Sequence, residues 1–113
     1  MLDTKYVKET FEMFRELWGD ESQYRMCIEE MSELTKALCK FMRYSREEKN
    51  SENDKKLESI RQDIIEETAD VLICASQIMN IVGEESVQKA INYKIARGRK
   101  RAEEDLIKLN GRR

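Results

Sequence analysis

The sequence predicts an all-α protein, a four-helix bundle in a single domain over residues 1–113, and three observations lead to this class. Apolar residues make up 40% and charged residues 39% of the chain, a balance typical of amphipathic helices. There is no proline and there are four glycines, too few for the frequent turns of a β-sandwich or barrel. The longest apolar stretch, 71–82, is interrupted by Ser76, Gln77 and Asn80, so we expect no membrane span, signal peptide or membrane partner.

The first predicted helix covers about residues 4–18, and Gly19 is expected to end it because glycine readily adopts the positive φ of a C′ residue. Asp20 is the expected N-cap of a second helix, which reaches about residue 44. Gln23 stands three residues after Asp20, which is the spacing of a capping box.

Residues 45–53 are polar and charged without a period, and they are predicted to form an exposed loop. Ser51 or Asn53 is the expected N-cap of the third helix, which reaches Val82 and ends at Gly83.

The fourth predicted helix covers about residues 85–109, and residues 110–113 are expected to fray. Its predicted buried stripe consists of Ile91, Ile95, Gly98, Ala102 and Leu106.

Charge is distributed unevenly along the chain, whose net charge is −2. From Lys94 onward eight basic residues stand against three acidic ones, whereas the first 93 residues carry a net charge of −7. An acidic body with a basic last helix suits a ligand that needs both a cation and phosphate contacts. The overall negative charge and the acids Glu103, Glu104 and Asp105 within that helix argue against nucleic-acid binding.

The third helix carries two adjoining heptad seams. The first seam consists of Ile60, Ile64, Glu67, Val71, Cys74, Ile78 and Ile81. The second seam consists of Ile65, Thr68, Leu72, Ala75, Met79 and Val82. Because two seams leave most of the helix surface apolar, we expect another subunit to complete the bundle, in a homodimer or a homotetramer.

Three cysteines, Cys27, Cys39 and Cys74, lie among apolar neighbours and are predicted to be reduced core thiols of a cytoplasmic protein. The chain has no histidine, which excludes Ser-His-Asp and Cys-His catalysis and histidine-containing zinc sites.

Carboxylates occupy seam positions where the pattern calls for leucine or isoleucine. Glu67 lies in the first seam with Asp70 three residues on, and Glu30 lies in the seam of the second helix with Glu33 three residues on. Carboxylates at the border of a core cost several kcal/mol to desolvate and repel one another. An all-oxygen cluster without histidine is what Mg²⁺ prefers. The alternative is a solvated helix face with i,i+4 salt bridges.

These motifs resemble a known enzyme superfamily. The stretches Glu29-Glu30-Met31-Ser32-Glu33 and Glu67-Thr68-Ala69-Asp70 are similar to the Glu-Glu-x-x-Glu and Glu-x-x-Asp signature of the MazG-like all-α nucleoside triphosphate pyrophosphatases. The segments WGDESQ, EEMSELTKAL, EETADVLICASQI and YKIARGRKR extend the resemblance over about residues 14–101.

The resemblance implies an oligomeric helical bundle that hydrolyses a (deoxy)nucleoside triphosphate to the monophosphate and pyrophosphate with Mg²⁺, or with Mn²⁺ in its place. It implies that the metal ligands are Glu30, Glu33, Glu67 and Asp70. Glu29 would be either a further ligand or the base that orients water.

The resemblance also implies that the fourth helix contacts the phosphates through Lys94 and Arg97, with Asn92 as a weaker candidate of the same kind. A basic helix face simply in water is the alternative for these residues. Gln23, in the same seam as Glu30, either approaches the nucleotide or closes the capping box. For the whole chain, the alternative function is a non-catalytic helical module with an acidic docking face.

Overall fold

The computed structural model describes residues 2–111. Within that range all regular secondary structure is α-helical. The helices are α1 (Lys5–Tyr44), α2 (Ser51–Val82) and α3 (Glu84–Gly111). The prediction of an all-α protein is therefore confirmed. The chain divides into two compact units, Met1–Asn80 and Ile81–Arg113. None of the three described helices combines the length and the hydropathy that a membrane span requires.

Helix α1 contains a kink where the sequence predicts the end of one helix and the start of the next. The helix begins after Thr4, whose hydroxyl oxygen accepts a hydrogen bond from Val7 N at 3.2 Å. Gly19 then adopts φ 81° and ψ 165°, outside the helical region. The Arg15 guanidinium donates two hydrogen bonds to the Asp20 carboxylate across the kink, at 2.7 and 3.2 Å. The predicted break at Gly19 is therefore confirmed, with the helical segments on its two sides following one another directly in α1.

The capping box predicted at the kink does not form. Gln23 is only 2% exposed, and neither its amide nitrogen nor its amide oxygen has a hydrogen-bond partner. The side chain therefore does not reach back to the backbone N–H of Asp20. Its heptad spacing from Cys27 and Glu30 instead places it in the interface with α2, where burial outweighs the local hydrogen bond.

The loop before α2 is shorter than predicted and covers residues 45–50. The N-cap of α2 is Asn50 and not Ser51 or Asn53, because Asn50 Oδ1 accepts a hydrogen bond from Asn53 N at 2.9 Å. The Asn50 carbonyl oxygen also accepts the first helical hydrogen bond, from Asp54 N at 3.0 Å. Asn53 does not serve as the cap, because its backbone N–H donates to Asn50 and its side-chain amide donates to the carbonyl oxygen of Glu48.

Helix α3 begins directly after Gly83, which adopts φ 126° and ends α2 as predicted. The predicted fraying is wrong for residues 110 and 111, which are still helical. The other two residues of that prediction, Arg112 and Arg113, lie outside the described residues.

The core of the first unit lies between α1 and α2. Its buried apolar residues are Phe11, Cys27, Ala37, Ile60 and Cys74. Ile60 and Cys74 belong to the first seam of α2, and Cys27 and Ala37 share the seam of Glu30 on α1 by their spacing of three and seven residues from it. The 3–4 spacing therefore identifies the contact surface correctly. Cys39 is exposed, and its prediction as a core thiol is wrong because it lies outside the seam.

The second seam of α2 and the stripe of α3 are not buried in the single chain. Ile65 and Leu72 are 48% and 47% exposed, and Ile95 of the α3 stripe is 66% exposed. The predicted burial of the α3 stripe is therefore wrong for the chain alone. Amphipathic spacing identifies an apolar face, but it does not determine whether the same chain covers that face.

The kink predicts a stability difference between two glycine variants. We expect Gly19→Ala to lower the free energy of unfolding by about 1–2 kcal/mol, because an alanine Cβ is disfavoured at a φ of 81°. Gly98→Ala is the matched control, since Gly98 lies inside α3 with open space around its Cα. It should raise stability by about 0.5–1 kcal/mol. Urea denaturation measures both, and stabilisation by Gly19→Ala would contradict the kinked geometry.

Candidate metal centre

Three carboxylates converge at the interface of α1 and α2 in the first unit. Glu30 of α1 lies opposite Glu67 and Asp70 of α2, and one carboxylate oxygen of each residue lies within 4.8 Å of the others. Cys27 likewise lies against Cys74, so the two helices run antiparallel. Glu30 and Glu67 are partly buried and Asp70 is exposed, so the cluster extends from the core border to the surface.

No basic residue neutralises this cluster within its own unit. In residues 2–80, the ion pairs formed by lysine and arginine go to other acids and none goes to Glu30, Glu67 or Asp70. In addition, Glu67 Oε2 is inaccessible to solvent and has no hydrogen-bond partner. Buried carboxylate oxygens are almost always paired or bound to a cation. The arrangement is therefore one that a bound cation would stabilise.

The electrostatic effect of the cluster appears at Glu30. Loss of hydration on burial is the largest cause that raises the pKa of the Glu30 carboxyl above its ordinary value. The negative charges of Asp70, Glu67 and Glu29 raise it further, in that order, and a hydrogen bond that protonated Glu30 donates to the Glu67 carboxylate adds to the shift. An ionised Glu30 therefore disfavours the folded state when no cation is bound.

Cys74, which lies beside the cluster, is inert as a nucleophile. Burial, followed by the neighbouring Cys27 thiol, raises the pKa of Cys74 to about 12. The Cys74 thiol also lies 3.3 Å from the carbonyl oxygen of Val71 and donates a hydrogen bond to it. A thiol with so high a pKa stays protonated at neutral pH, which leaves the carboxylates as the reactive groups of this interface.

The other two predicted acids lie outside the converging group. Glu33 is exposed and pairs with Lys36, at an Oε1–Nζ distance of 3.7 Å on the same helix. Glu29 is also exposed, yet its charge contributes to the raised pKa of Glu30. The structure thus brings together Glu30, Glu67 and Asp70 and leaves Glu29 and Glu33 at the edge of the cluster.

The predicted phosphate-binding residues belong to α3, in the second unit, and all three are exposed. The Arg97 guanidinium lies over the Tyr93 ring, 5.7 Å from its centroid. Asn92 Oδ1 accepts a hydrogen bond from Gln88 Nε2 at 3.0 Å. The side chain of Lys94 is exposed to solvent on the same helix.

Two buried glutamines lie one turn from the cysteine pair, and the sequence pattern pointed to only one of them, Gln23. Gln77 is 4% exposed and its Oε1 has no hydrogen-bond partner, as is also true of both amide atoms of Gln23. The signal for Gln77 in the sequence is that it interrupts the apolar stretch 71–82.

The donor set of the cluster fits a hard divalent cation. Three carboxylate oxygens without nitrogen or sulfur are the ligands that Mg²⁺ and Mn²⁺ favour. One oxygen of each of the three carboxylates lies within 4.8 Å of the others, so rotation of the side chains would bring all three donors onto one ion.

Comparisons of the chain with protein-family models, with curated proteins and with solved structures find no match.

The raised pKa of Glu30 predicts how stability depends on pH in metal-free protein. Because the folded-state pKa lies above the unfolded one, ionised Glu30 lowers stability at neutral pH, and this loss is relieved as pH falls through the folded-state pKa. We expect Glu30→Gln to raise the Tm at pH 7.5 in EDTA, with a gain that shrinks as the buffer approaches pH 4.5.

Thermal denaturation at a series of pH values measures this gain. Glu9→Gln is the control, because Glu9 is exposed and pairs only loosely with Lys5, at 3.7 Å on the same helix. A Glu30→Gln protein that is less stable than the wild type at pH 7.5 would contradict the electrostatic account of the cluster.

Proposed function

We propose that this protein is a nucleoside triphosphate pyrophosphohydrolase that requires Mg²⁺, with Mn²⁺ as a substitute. The observation that carries the proposal is the convergence of Glu30, Glu67 and Asp70 without a counter-charge in their own unit. One oxygen of the group is buried without a hydrogen-bond partner, which an acidic surface would not require. The resemblance of the same residues to the MazG-like signature supports the same chemistry.

In the proposed reaction, water attacks a phosphorus atom of the nucleoside triphosphate. Water oxygen bonds to phosphorus, one phosphoanhydride bond breaks, and the products are a nucleoside monophosphate and pyrophosphate. Such a reaction depends on charge neutralisation and positioning more than on covalent work by the protein. When bound, Mg²⁺ would neutralise phosphate charge and lower the pKa of a coordinated water.

The residues of this chain have separate roles in the proposal. Glu30, Glu67 and Asp70 hold the cation, and Glu33 joins them when its weak pairing with Lys36 is released. Glu29 is the proposed base, because it is exposed beside the cluster and is not one of the converging ligands. Its carboxylate orients the attacking water and accepts the proton.

The basic residues of α3 have the complementary role. Lys94 and Arg97 are exposed cations one turn apart, and we propose that they contact the triphosphate, with Asn92 as an uncharged donor. Arginine and lysine bind phosphate oxygens strongly because their hydrogen bonds are charge-assisted.

We further propose that a second copy of the chain completes a four-helix bundle, as a homodimer or a homotetramer. The second seam of α2 is exposed in the single chain, with Ile65 and Leu72 about half accessible. Continuous apolar surface of this kind is typical of an interface between subunits. A cytoplasmic location agrees with two buried reduced thiols and with the site of nucleotide pools.

The proposed activity predicts release of pyrophosphate from at least one member of a panel of canonical and modified (deoxy)nucleoside triphosphates. We expect turnover with Mg²⁺ and none after EDTA. Glu67→Gln should lower kcat/KM by about 100-fold or more, since even second-shell partners of a metal contribute 10–100-fold. Coupled detection of pyrophosphate measures the rates.

Glu58→Gln is the matched control on the same helix, because Glu58 is exposed and pairs with Arg61 at 3.6 Å. It should retain the wild-type rate. Absence of turnover across the panel, together with no rise in Tm on addition of Mg²⁺, would contradict the proposal and favour a non-catalytic docking module.

A further inference from the structure

A groove separate from the carboxylate cluster lies between the C-terminal turns of α1 and the N-terminal turns of α2. Its volume is about 290 Å³. The residues that line it are Lys40 and Tyr44 of α1 and Lys56, Ser59, Ile60 and Asp63 of α2. Lys40 lies ten residues beyond Glu30 on α1, which is about 15 Å along the helix axis. The groove and the candidate metal centre are therefore distinct places on the α1–α2 interface.

Cations gather at this groove although the first 93 residues carry a net charge of −7. Lys56 Nζ lies 5.5 Å from the centroid of the Tyr44 ring, and the Arg43 guanidinium carbon lies 5.3 Å from the same centroid. Both cations are attracted by the ring, and this attraction restricts the position of the Lys56 ammonium at the groove. Lys40 brings a third positive charge to the same surface.

The charges that line the groove are weakly neutralised. Among the described residues, neither Lys40 nor Asp63 forms an ion pair, although both line the same groove. Lys56 pairs with Glu52 at an Nζ–Oε1 distance of 3.8 Å, and the Glu52 side chain is 81% exposed. An exposed pair at this distance contributes little to stability, so an anionic ligand can replace Glu52 at low cost.

The helix dipole explains only part of this arrangement. Arg43 lies in the last turn of α1, where a cation interacts favourably with the negative end of the dipole. Lys56 lies in the second turn of α2, near the end of the helix where the dipole favours anions, as Glu52 and Asp54 of the first turn illustrate. A structural role in the dipole therefore does not account for Lys56.

We propose that this groove binds a sugar phosphate, with Lys40 and Lys56 as the ligands of the phosphate group. Hydrogen bonds from lysine to phosphate are charge-assisted and strong, and the Ser59 hydroxyl offers a neutral donor beside them. The site does not depend on the carboxylate cluster or on the proposed function.

The rest of the groove favours an organic phosphate over the free ion. Asp63 is seven residues from Lys56, which is about 10 Å along the axis of α2. Its carboxylate accepts hydrogen bonds from hydroxyl groups and repels a phosphate, so it suits the hydroxyl-bearing end of the ligand. Tyr44 and Ile60 provide apolar surface for the carbon skeleton between these ends. The volume of the groove is near the lower end of the range for small-molecule sites, about 300–1,000 Å³.

The test compares glucose 6-phosphate, inorganic phosphate and glucose as probes at constant ionic strength. Binding is followed through the backbone amide shifts of ¹⁵N-labelled full-length protein in EDTA, which removes divalent cations from the carboxylate cluster. We expect saturable shifts in residues 40–44 and 56–63 with glucose 6-phosphate. Inorganic phosphate and glucose should each bind at least tenfold more weakly, because each lacks half of the contacts.

Three variants of the groove test the individual contacts. Lys40→Met and Lys56→Met should each raise the Kd of glucose 6-phosphate by about tenfold or more, because each removes a charge-assisted hydrogen bond. Asp63→Ala should reduce the preference for glucose 6-phosphate over inorganic phosphate. It removes the acceptor for the sugar hydroxyls and also the repulsion of the free ion.

Lys36→Met is the matched control, since Lys36 is exposed one turn before Lys40 and pairs with Glu33 at 3.7 Å. It removes the same charge from the same helix and should change the Kd by less than twofold. Equal weakening by Lys36→Met and Lys40→Met would overturn the proposal, because general charge would then attract the probe. Shifts that do not saturate, or that are confined to α3, would also overturn it. Inorganic phosphate that binds as tightly as glucose 6-phosphate would overturn the assignment to a sugar phosphate.

Discussion

Mutual repulsion among three carboxylates at the interface of two antiparallel helices is the constraint on which the rest of the structure depends. Glu30, Glu67 and Asp70 replace apolar or neutral side chains where α1 and α2 meet, and no basic residue of their own unit compensates them. Desolvation and like charge raise the pKa of Glu30, so this cost falls on the folded state. Packing of the flanking seam residues, such as Ile60 and Ala37, offsets the cost and holds the acids in place.

Under the proposed function, stability and ligand binding depend on different positions of one interface. Apolar seam positions hold α1 against α2, whereas the polar positions between them contribute carboxylates and amides that lower stability in the absence of ligand. Gln23 and Gln77 follow the same logic as the acids, because a buried polar group without a partner is unfavourable. Sites of this kind are common where binding requires groups that folding alone would not select.

The sequence predicts most helix boundaries and the contact between α1 and α2. Gly19 and Gly83 indicate where helices end, and the heptad spacing indicates which faces of α1 and α2 meet. It predicts that Glu30 and Glu67 meet for the same reason, since both are seam residues of facing helices, and Asp70 lies one turn from Glu67. It does not predict that Glu33 lies outside the cluster, because Glu33 is not in the seam. It does not predict which apolar faces the chain itself covers, because spacing carries no information about the partner surface. The capping box at Gln23 fails because a tertiary contact overrides a local pattern.

Diffraction from crystals grown with Mn²⁺ and a non-hydrolysable nucleoside triphosphate analogue tests the central claim most directly. Manganese scatters anomalously, so its position is measured independently of the refined side chains. We predict an anomalous peak within coordination distance of oxygens of Glu30, Glu67 and Asp70 and of a phosphate oxygen of the analogue. A peak elsewhere, or carboxylates that point into bulk solvent at saturating Mn²⁺, would contradict the account.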